Sequence, residues 1–82
     1  MASLDRARIR DLMADVLSAK GVTLPDDEST DLASIGFRSL DFSELALRVE
    51  DEIGAELNFD APGLRSITTT GDVLDFLQKL AA

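Results

Sequence analysis

The chain has 82 residues, enough for one small domain with a modest core. It has no Cys and no His, which excludes disulfides, thiolate metal sites and catalytic sites that depend on imidazole. Sixteen acidic residues against eight basic ones give a net charge of -8, so the surface repels nucleic acid and attracts basic protein surfaces.

The same size disfavours an enzyme, because a small helical core leaves little room for a cleft even if carboxylates or lysines supplied the chemistry. No apolar run near the N-terminus is long enough for a signal peptide or a membrane span. We therefore expect a cytoplasmic monomer that binds neither membrane nor nucleic acid and forms a single domain over residues 1–82.

The first predicted helix is marked by an apolar stripe with helical spacing, formed by Ile9, Leu12, Met13, Val16 and Leu17. Ser3 is suited to cap its N-terminus, with Asp5 in the first turn. Lys20 and Gly21 are typical of a helix C-terminus, so the helix should end there.

Three arginines concentrate positive charge on this helix, at Arg6, Arg8 and Arg10. We interpret them as part of a solvated face, on which Arg6 and Arg10 pair with the carboxylates of Asp11 and Asp15.

A long connection, Val22–Arg38, follows this helix. Pro25 and the polar run over residues 26–31 predict a loop, with a one-turn helix around Ser29–Ser34. Five apolar residues are expected to pin this loop across the helices, namely Val22, Leu24, Leu32, Ile35 and Phe37. The acidic run does not form a calcium loop, because Asp31 occupies the sixth position, where that loop requires Gly.

The second helix is predicted from Leu40 to about Ile53, with Gly54 as its end. Its core face is expected to contain Phe42, Leu45, Ala46, Val49 and Ile53. The opposite face, called here the solvent face, contains Leu40, Glu44, Leu47 and Asp51, and it is flanked by Asp41, Glu50 and Glu52. An apolar stripe among acids suits a partner that offers an apolar spot ringed by Arg or Lys. Alternatively, the third helix covers Leu47.

The C-terminal part begins with a turn region, Asn58–Ser66, and a short third helix is expected near Leu64–Ile67. Thr69 and Asp72 have the spacing of a capping box before a last helix, whose apolar stripe is Val73, Phe76, Leu77 and Leu80. Together these patterns predict an all-α fold. It is a small antiparallel bundle of three main helices plus one short helix, with a long loop between the first two.

The stretch from Ile35 to Leu45 brings a glycine loop to the start of the second helix. From the residues alone, Ser39 is interpreted as the N-cap of that helix. Asp41 and Glu44 place negative charge in the first turns, where the helix dipole favours it.

The sequence Gly-x-x-Ser-Leu-Asp, followed by Glu-Leu-x-Leu-x-Val-Glu-Asp-Glu-Ile-Gly, resembles the acyl carrier protein family, and the resemblance extends from Leu12 to Leu80. It implies an acyl-carrier-like bundle in which Ser39 carries a covalent 4′-phosphopantetheine arm derived from coenzyme A. It also implies that the helix after this serine docks partner enzymes. The partner-binding residues would be Arg38, Leu40, Asp41, Glu44, Leu47, Arg48 and Asp51.

The implied function is a discrete carrier of acyl or aminoacyl thioesters in fatty acid, polyketide or nonribosomal-peptide biosynthesis. The implied partners are a phosphopantetheinyl transferase, an acyl- or aminoacyl-loading ligase or transferase, and a downstream synthase or transferase. The alternative is an unmodified acidic helical adaptor that binds basic partners. The mass of the protein after treatment with a transferase and coenzyme A distinguishes the two.

Two features depart from the usual pattern of the family. Arg38 stands where the family usually has Asp, and we interpret it as a recognition residue beside the arm, with drift offset by Asp31 or Asp41 as the alternative. Phe42 and Ser43 make the interior fuller and more polar than in fatty-acid carriers, which favours a short or polar cargo such as an aminoacyl or small polyketide unit, although structural drift explains them too.

Overall fold

The computed structural model describes residues 4–57 and 66–81. Within these ranges the chain forms three α-helices, α1 (Arg6–Ser18), α2 (Ser39–Ile53) and α3 (Thr70–Ala81), and a 3-10 helix at Leu32–Ile35. The described part contains no strand beyond an isolated antiparallel bridge between Asp31 and Thr69. The predicted all-α bundle is confirmed. The turn at Pro62-Gly63 lies outside the described residues, as does the start of the predicted helix near Leu64–Ile67.

The core is formed where the three helices meet. On α1 the buried residues are those of the predicted stripe, Ile9, Leu12, Met13, Val16 and Leu17. On α2 the buried residues are Leu45, Ala46 and Val49, with Phe42 and Ile53 half-buried at the edges of the predicted core face. On α3 the buried apolar residues are Val73, Leu74, Leu77 and Ala81. The core face of α3 is therefore rotated from the predicted stripe, so that Leu74 lies inside and Phe76 and Leu80 lie at the edge.

The ends of the helices are fixed by local hydrogen bonds. The predicted Ser3 cap is wrong, because α1 begins at Arg6 and Asp5 is its N-cap, whose side chain accepts from the Arg8 N–H at 2.9 Å. The capping box before α3 is confirmed, since the Thr69 N–H donates to Asp72 Oδ2 at 3.1 Å and the Asp72 N–H donates to Thr69 Oγ1 at 3.2 Å.

The arginines of α1 connect this helix to three other parts of the chain. Arg6 forms ion pairs with Glu28 and Asp75 at 2.6 Å each, and Arg8 pairs with Glu52. Arg10 reaches Asp26. The predicted pairing with Asp11 and Asp15 is wrong, because these acids follow Arg6 and Arg10 by five residues and so lie about 140° away around the helix.

The long connection is held against the start of α3 by its backbone. Leu32 N–H donates to Thr68 O at 2.9 Å, and Gly71 N–H donates to Glu28 O at 2.8 Å. A side chain at Gly71 would place its Cβ 3.2 Å from Glu28 O, a tight contact that would push the two backbones apart by a few tenths of an ångström. The predicted anchors are confirmed: Leu24, Leu32 and Phe37 are buried, and Val22 and Ile35 pack against the core. The connection Val22–Arg38, called here the strap, is thus ordered, and it determines where α2 begins.

Candidate functional site

Ser39 is the first residue of α2 and is exposed to solvent. Arg38, with an extended backbone at φ -113° and ψ -178°, is the N-cap, so the interpretation of Ser39 as the N-cap is wrong by one position. The helix starts one residue earlier than Leu40 because Phe42 N–H already donates to Arg38 O, at 2.9 Å. The Ser39 hydroxyl makes no hydrogen bond to any residue in the described ranges, and it is therefore open to chemistry.

The backbone that leads to Ser39 is fixed by a buried anchor. Gly36 ends the 3-10 helix with φ at +68°, a left-handed conformation that glycine adopts without strain. Phe37 then enters the core, 6% exposed, and its N–H donates to Leu32 O at 3.1 Å. Arg38 and Ser39 follow immediately on the surface, so the loop presents them from a rigid base.

An ion pair between Lys20 and Asp41, called here the clasp, joins the end of α1 to the start of α2 on the other side of this loop. Asp41 Oδ2 accepts from Lys20 Nζ at 2.8 Å and from the Arg38 N–H at 2.9 Å, while Lys20 Nζ also donates to Gly36 O at 2.5 Å. Burial raises the pKa of Asp41, but these two donors outweigh it and the net pKa lies below its usual value. The Asp41 side chain is only 15% exposed, so the residue predicted to contact partners mainly holds the serine loop.

Lys20 is the residue of this site that sequence reasoning missed. Its position after α1 indicates a helix end and nothing more. The contact with Asp41 spans 21 residues, and no spacing or motif in the sequence signals it.

A cavity of about 480 Å³ opens beside Ser39 and is called here the Ser39 cavity. Its lining consists of Asp31, Leu32, Ala33, Phe37, Arg38, Ser39, Phe42, Ser43, Ile67 and Thr68. Its volume lies in the range of about 300–1,000 Å³ that is typical of ligand sites. The Phe42 side chain is part of this lining and packs against Phe76, with ring centroids 5.9 Å apart at 54°. An exposed hydroxyl beside a mixed apolar and polar cavity fits a group that is attached at Ser39 and partly sheltered by the bundle.

The solvent face of α2 lies next to this cavity and is exposed as predicted. Leu40 is 84% exposed and Leu47 is 58% exposed, which is unusual for large apolar side chains of a small domain. Glu44 lies between them and pairs with Arg48 at 3.1 Å, and Asp51 continues the face.

The acids beside this face differ in whether their carboxylates already form a hydrogen bond or an ion pair within the chain. Glu50 Oε2 accepts from the Leu57 N–H at 2.7 Å, and Glu52 pairs with Arg8, which lowers the pKa of Glu52. Glu44 and Asp51 are the exposed acids beside the leucines; Glu44 pairs with Arg48, and Asp51 makes no ion pair within the described ranges. No group of three potential ligands in residues 4–57 and 66–81 could hold a metal ion.

A small helical bundle that presents a serine at a helix start, beside a cavity and an exposed helix face, has the architecture of a carrier domain. Residues 7–77 match the family model described as the phosphopantetheine attachment site. The chain belongs to this family of acyl and peptidyl carrier proteins, and 4′-phosphopantetheine is its prosthetic group. None of the helices that the structure describes is long and apolar enough to cross a membrane.

Proposed function

We propose that the protein is a carrier in which Ser39 bears the 4′-phosphopantetheine arm. The observation that carries this proposal is the position of Ser39: it lies inside the matched residues 7–77, exposed, at the first position of α2 and on the rim of the Ser39 cavity. When attached, the arm supplies a terminal thiol on which acyl or aminoacyl groups travel as thioesters.

The neighbouring serines are less suited to attachment. The Ser34 hydroxyl donates to Asp31 O at 2.6 Å, so it is already engaged in the 3-10 helix. Ser43 lies one turn into α2 and lines the cavity. Of these three serines, Ser39 is the one that combines a hydroxyl without a hydrogen bond in the described ranges with the helix N-terminus, where the dipole favours an incoming phosphate.

The residues of the chain hold and expose the arm, and their contribution to bond making is the Ser39 oxygen that joins it. The sequence has neither Cys nor His, so it contains no thiolate or imidazole that would attack a thioester. The Ser39 hydroxyl donates to no carboxylate within the described ranges, and we assign its deprotonation to the phosphopantetheinyl transferase. We therefore propose a carrier rather than an enzyme.

The solvent face of α2 is the proposed docking surface for the transferase, for the loading ligase or transferase, and for the downstream synthase. Leu40 and Leu47 offer apolar contact, and Glu44 and Asp51 offer negative charge to a basic rim. Arg48, and Arg38 beside the serine, complete the surface. Asp41 contributes through the clasp, because it positions the loop on which Arg38 and Ser39 stand.

For the cargo, we propose a short or polar group in fatty acid, polyketide or nonribosomal-peptide type biosynthesis. Two observations support this restriction. The Phe42 ring, which packs against Phe76, is part of the lining of the Ser39 cavity, and the hydroxyl-bearing residues Ser43 and Thr68 line it as well. A long alkyl chain would meet an aromatic wall and polar groups there.

The experiment that tests the attachment is the intact mass of the protein after incubation with a broad-specificity transferase and coenzyme A. One phosphopantetheine should be added to the natural protein and to Ser34→Ala, and none to Ser39→Ala. Loss of the Ser39 hydroxyl should move stability by no more than about 0.5 kcal/mol, because Ser39 caps nothing. Modification of Ser39→Ala would overturn the assignment. If the natural protein is not modified, the result would favour the acidic adaptor. The exposed leucines and acids of α2 also suit that function.

A further inference from the structure

We propose that Arg38 binds the phosphodiester that joins the arm to Ser39, together with the free amides of the first turn of α2. This inference rests on the proposed attachment at Ser39. It gives Arg38 a function within the carrier itself: it holds the root of the arm at the rim of the Ser39 cavity.

Arg38 makes no ion pair within the part of the chain that the structure describes. Its guanidinium is exposed and forms no hydrogen bond there. The other described arginines all pair with carboxylates, namely Arg6, Arg8, Arg10 and Arg48. The nearby carboxylate of Asp41 interacts with the Arg38 charge through space, but it makes its ion pair with Lys20, at 2.8 Å. Arg38 is thus a cation without a direct counterion, beside the serine, in a chain of net charge -8.

The backbone at the start of α2 adds donors. The first amides of an α-helix have no acceptor within the helix and are commonly satisfied by the N-cap side chain. Here the N-cap is an arginine, which has only donors, and no side chain caps the helix. The Arg38 N–H is satisfied by Asp41, whereas the amides of Ser39 and Leu40 donate to no acceptor within the described ranges. A guanidinium and free helix amides are the donors that commonly bind phosphate oxygens.

The charges around the serine favour one side of the cavity for the phosphate. Lys20 and Asp41 compensate each other, which leaves Arg38 and the helix dipole as the positive contributions. Asp31 lies in the lining of the same cavity and is exposed, so it repels an anion from its own side. A phosphodiester carries one negative charge. Beside Arg38, this charge would neutralise the positive charge of the guanidinium. Asp at this position, as carriers of this family usually have it, would add repulsion instead.

The test compares the unmodified (apo) and modified (holo) forms of four proteins: the natural chain, Arg38→Gln, Arg38→Asp and the matched control Arg48→Gln. Modification at Ser39 is first verified by mass, so that a failure of the attachment is seen separately. At low salt, modification should raise the Tm of the natural protein and of Arg48→Gln by about 2–8 °C. The gain should be smaller in Arg38→Gln, where the helix amides remain as donors, and smaller again in Arg38→Asp, although apo Arg38→Asp should melt at the same or a higher temperature than the natural apo protein. Added NaCl should reduce these differences.

A second measurement uses the natural protein alone, and so it does not depend on whether the variants are modified well. The Arg38 Nε–H signal in 1H–15N NMR spectra should shift, and its exchange with water should slow, on conversion from apo to holo, whereas the Arg48 signal should not change. Equal holo-minus-apo changes of Tm in the natural protein and in Arg38→Gln, or an unchanged Arg38 signal, would overturn the proposal.

Discussion

Lys20 Nζ lies 2.8 Å from Asp41 Oδ2, and this ion pair joins the end of α1 to the first turn of α2. The same carboxylate oxygen receives the Arg38 N–H, and the same ammonium donates to Gly36 O. One pair therefore fixes both ends of the short segment that presents Ser39. An acid that the sequence offers as a partner contact is, in the folded chain, the clasp of the serine loop.

Replacing Lys20 by Met should lower the free energy of unfolding by about 1 kcal/mol near pH 7. The difference should depend on pH with a definite sign. The folded pKa of Asp41 is below its unfolded value of about 3.9, so the stabilisation is fully present above that value and is lost as the pH falls through the folded pKa. Urea unfolding of both proteins from pH 7 to pH 2.5 measures this. A difference that grows toward acid would contradict it.

Arg6 should be the most important surface charge for stability. It donates to Glu28 Oε1 and Oε2 at 2.6 and 3.1 Å and to Asp75 Oδ1 at 2.6 Å, and so links α1, the strap and α3. Arg6→Met keeps the apolar stem and should lower Tm by about 4–8 °C. The matched control Arg48→Met removes one exposed pair within a single helix and should lower Tm by no more than about 4 °C. Equal shifts in the two variants would show that the Arg6 network adds nothing beyond an ordinary exposed pair.

The sequence predicts what depends on near neighbours. The stripe of α1, the core face of α2 and the Thr69–Asp72 box all arise from residues within one or two turns, and the structure confirms each of them. It does not predict the partners of Arg6, because Glu28 and Asp75 are 22 and 69 residues away and the sequence offers many other acids.

The prediction of the N-cap of α2 was wrong by a single residue, for a physical reason. Ser is a strong N-cap and Arg is not, so local preference favours Ser39 at that position. In the structure the buried Phe37 and the bond from the Arg38 N–H to Asp41 set the start of the helix instead, and Arg38 becomes the N-cap. A tertiary anchor thus overrides the local preference, and it leaves the serine hydroxyl free.

The solvent face of α2 should matter for partners and not for folding. Leu47→Ala should change stability by no more than about 0.5 kcal/mol, because the side chain is 58% exposed, while loading and processing by cognate enzymes should weaken. Leu45→Ala is the control on the same helix: that side chain is fully buried, and its loss should cost about 2–5 kcal/mol. Thermal melts and steady-state loading kinetics separate the two effects. A collapse of stability in Leu47→Ala would mean that this leucine belongs to the core.

The wall between Phe42 and Phe76 should limit the length of the cargo. Phe42 lines the Ser39 cavity, and Phe76, which packs against it, lines a second cavity of about 220 Å³; Ile67 lines both. Phe42→Ala removes the ring from this wall and should allow a longer chain to enter. Because Phe42 is only half-buried, the substitution should cost about 2 kcal/mol, less than the 3–5 kcal/mol of a fully buried Phe.

The measurement is the Tm of the protein loaded with straight acyl chains of increasing length, delivered from acyl-coenzyme A by a broad-specificity transferase. Each methylene that enters the cavity should add up to about 0.8 kcal/mol, so the Tm rises with chain length until the chain no longer fits. The Tm of the natural protein should reach its plateau at a shorter acyl chain than the Tm of Phe42→Ala. Leu47→Ala is altered only on the solvent face, and its Tm should reach the plateau at the same chain length as the natural protein. A Tm that continues to rise with long chains in the natural protein would show that the aromatic wall yields, and the proposed restriction to short or polar cargo would then be wrong.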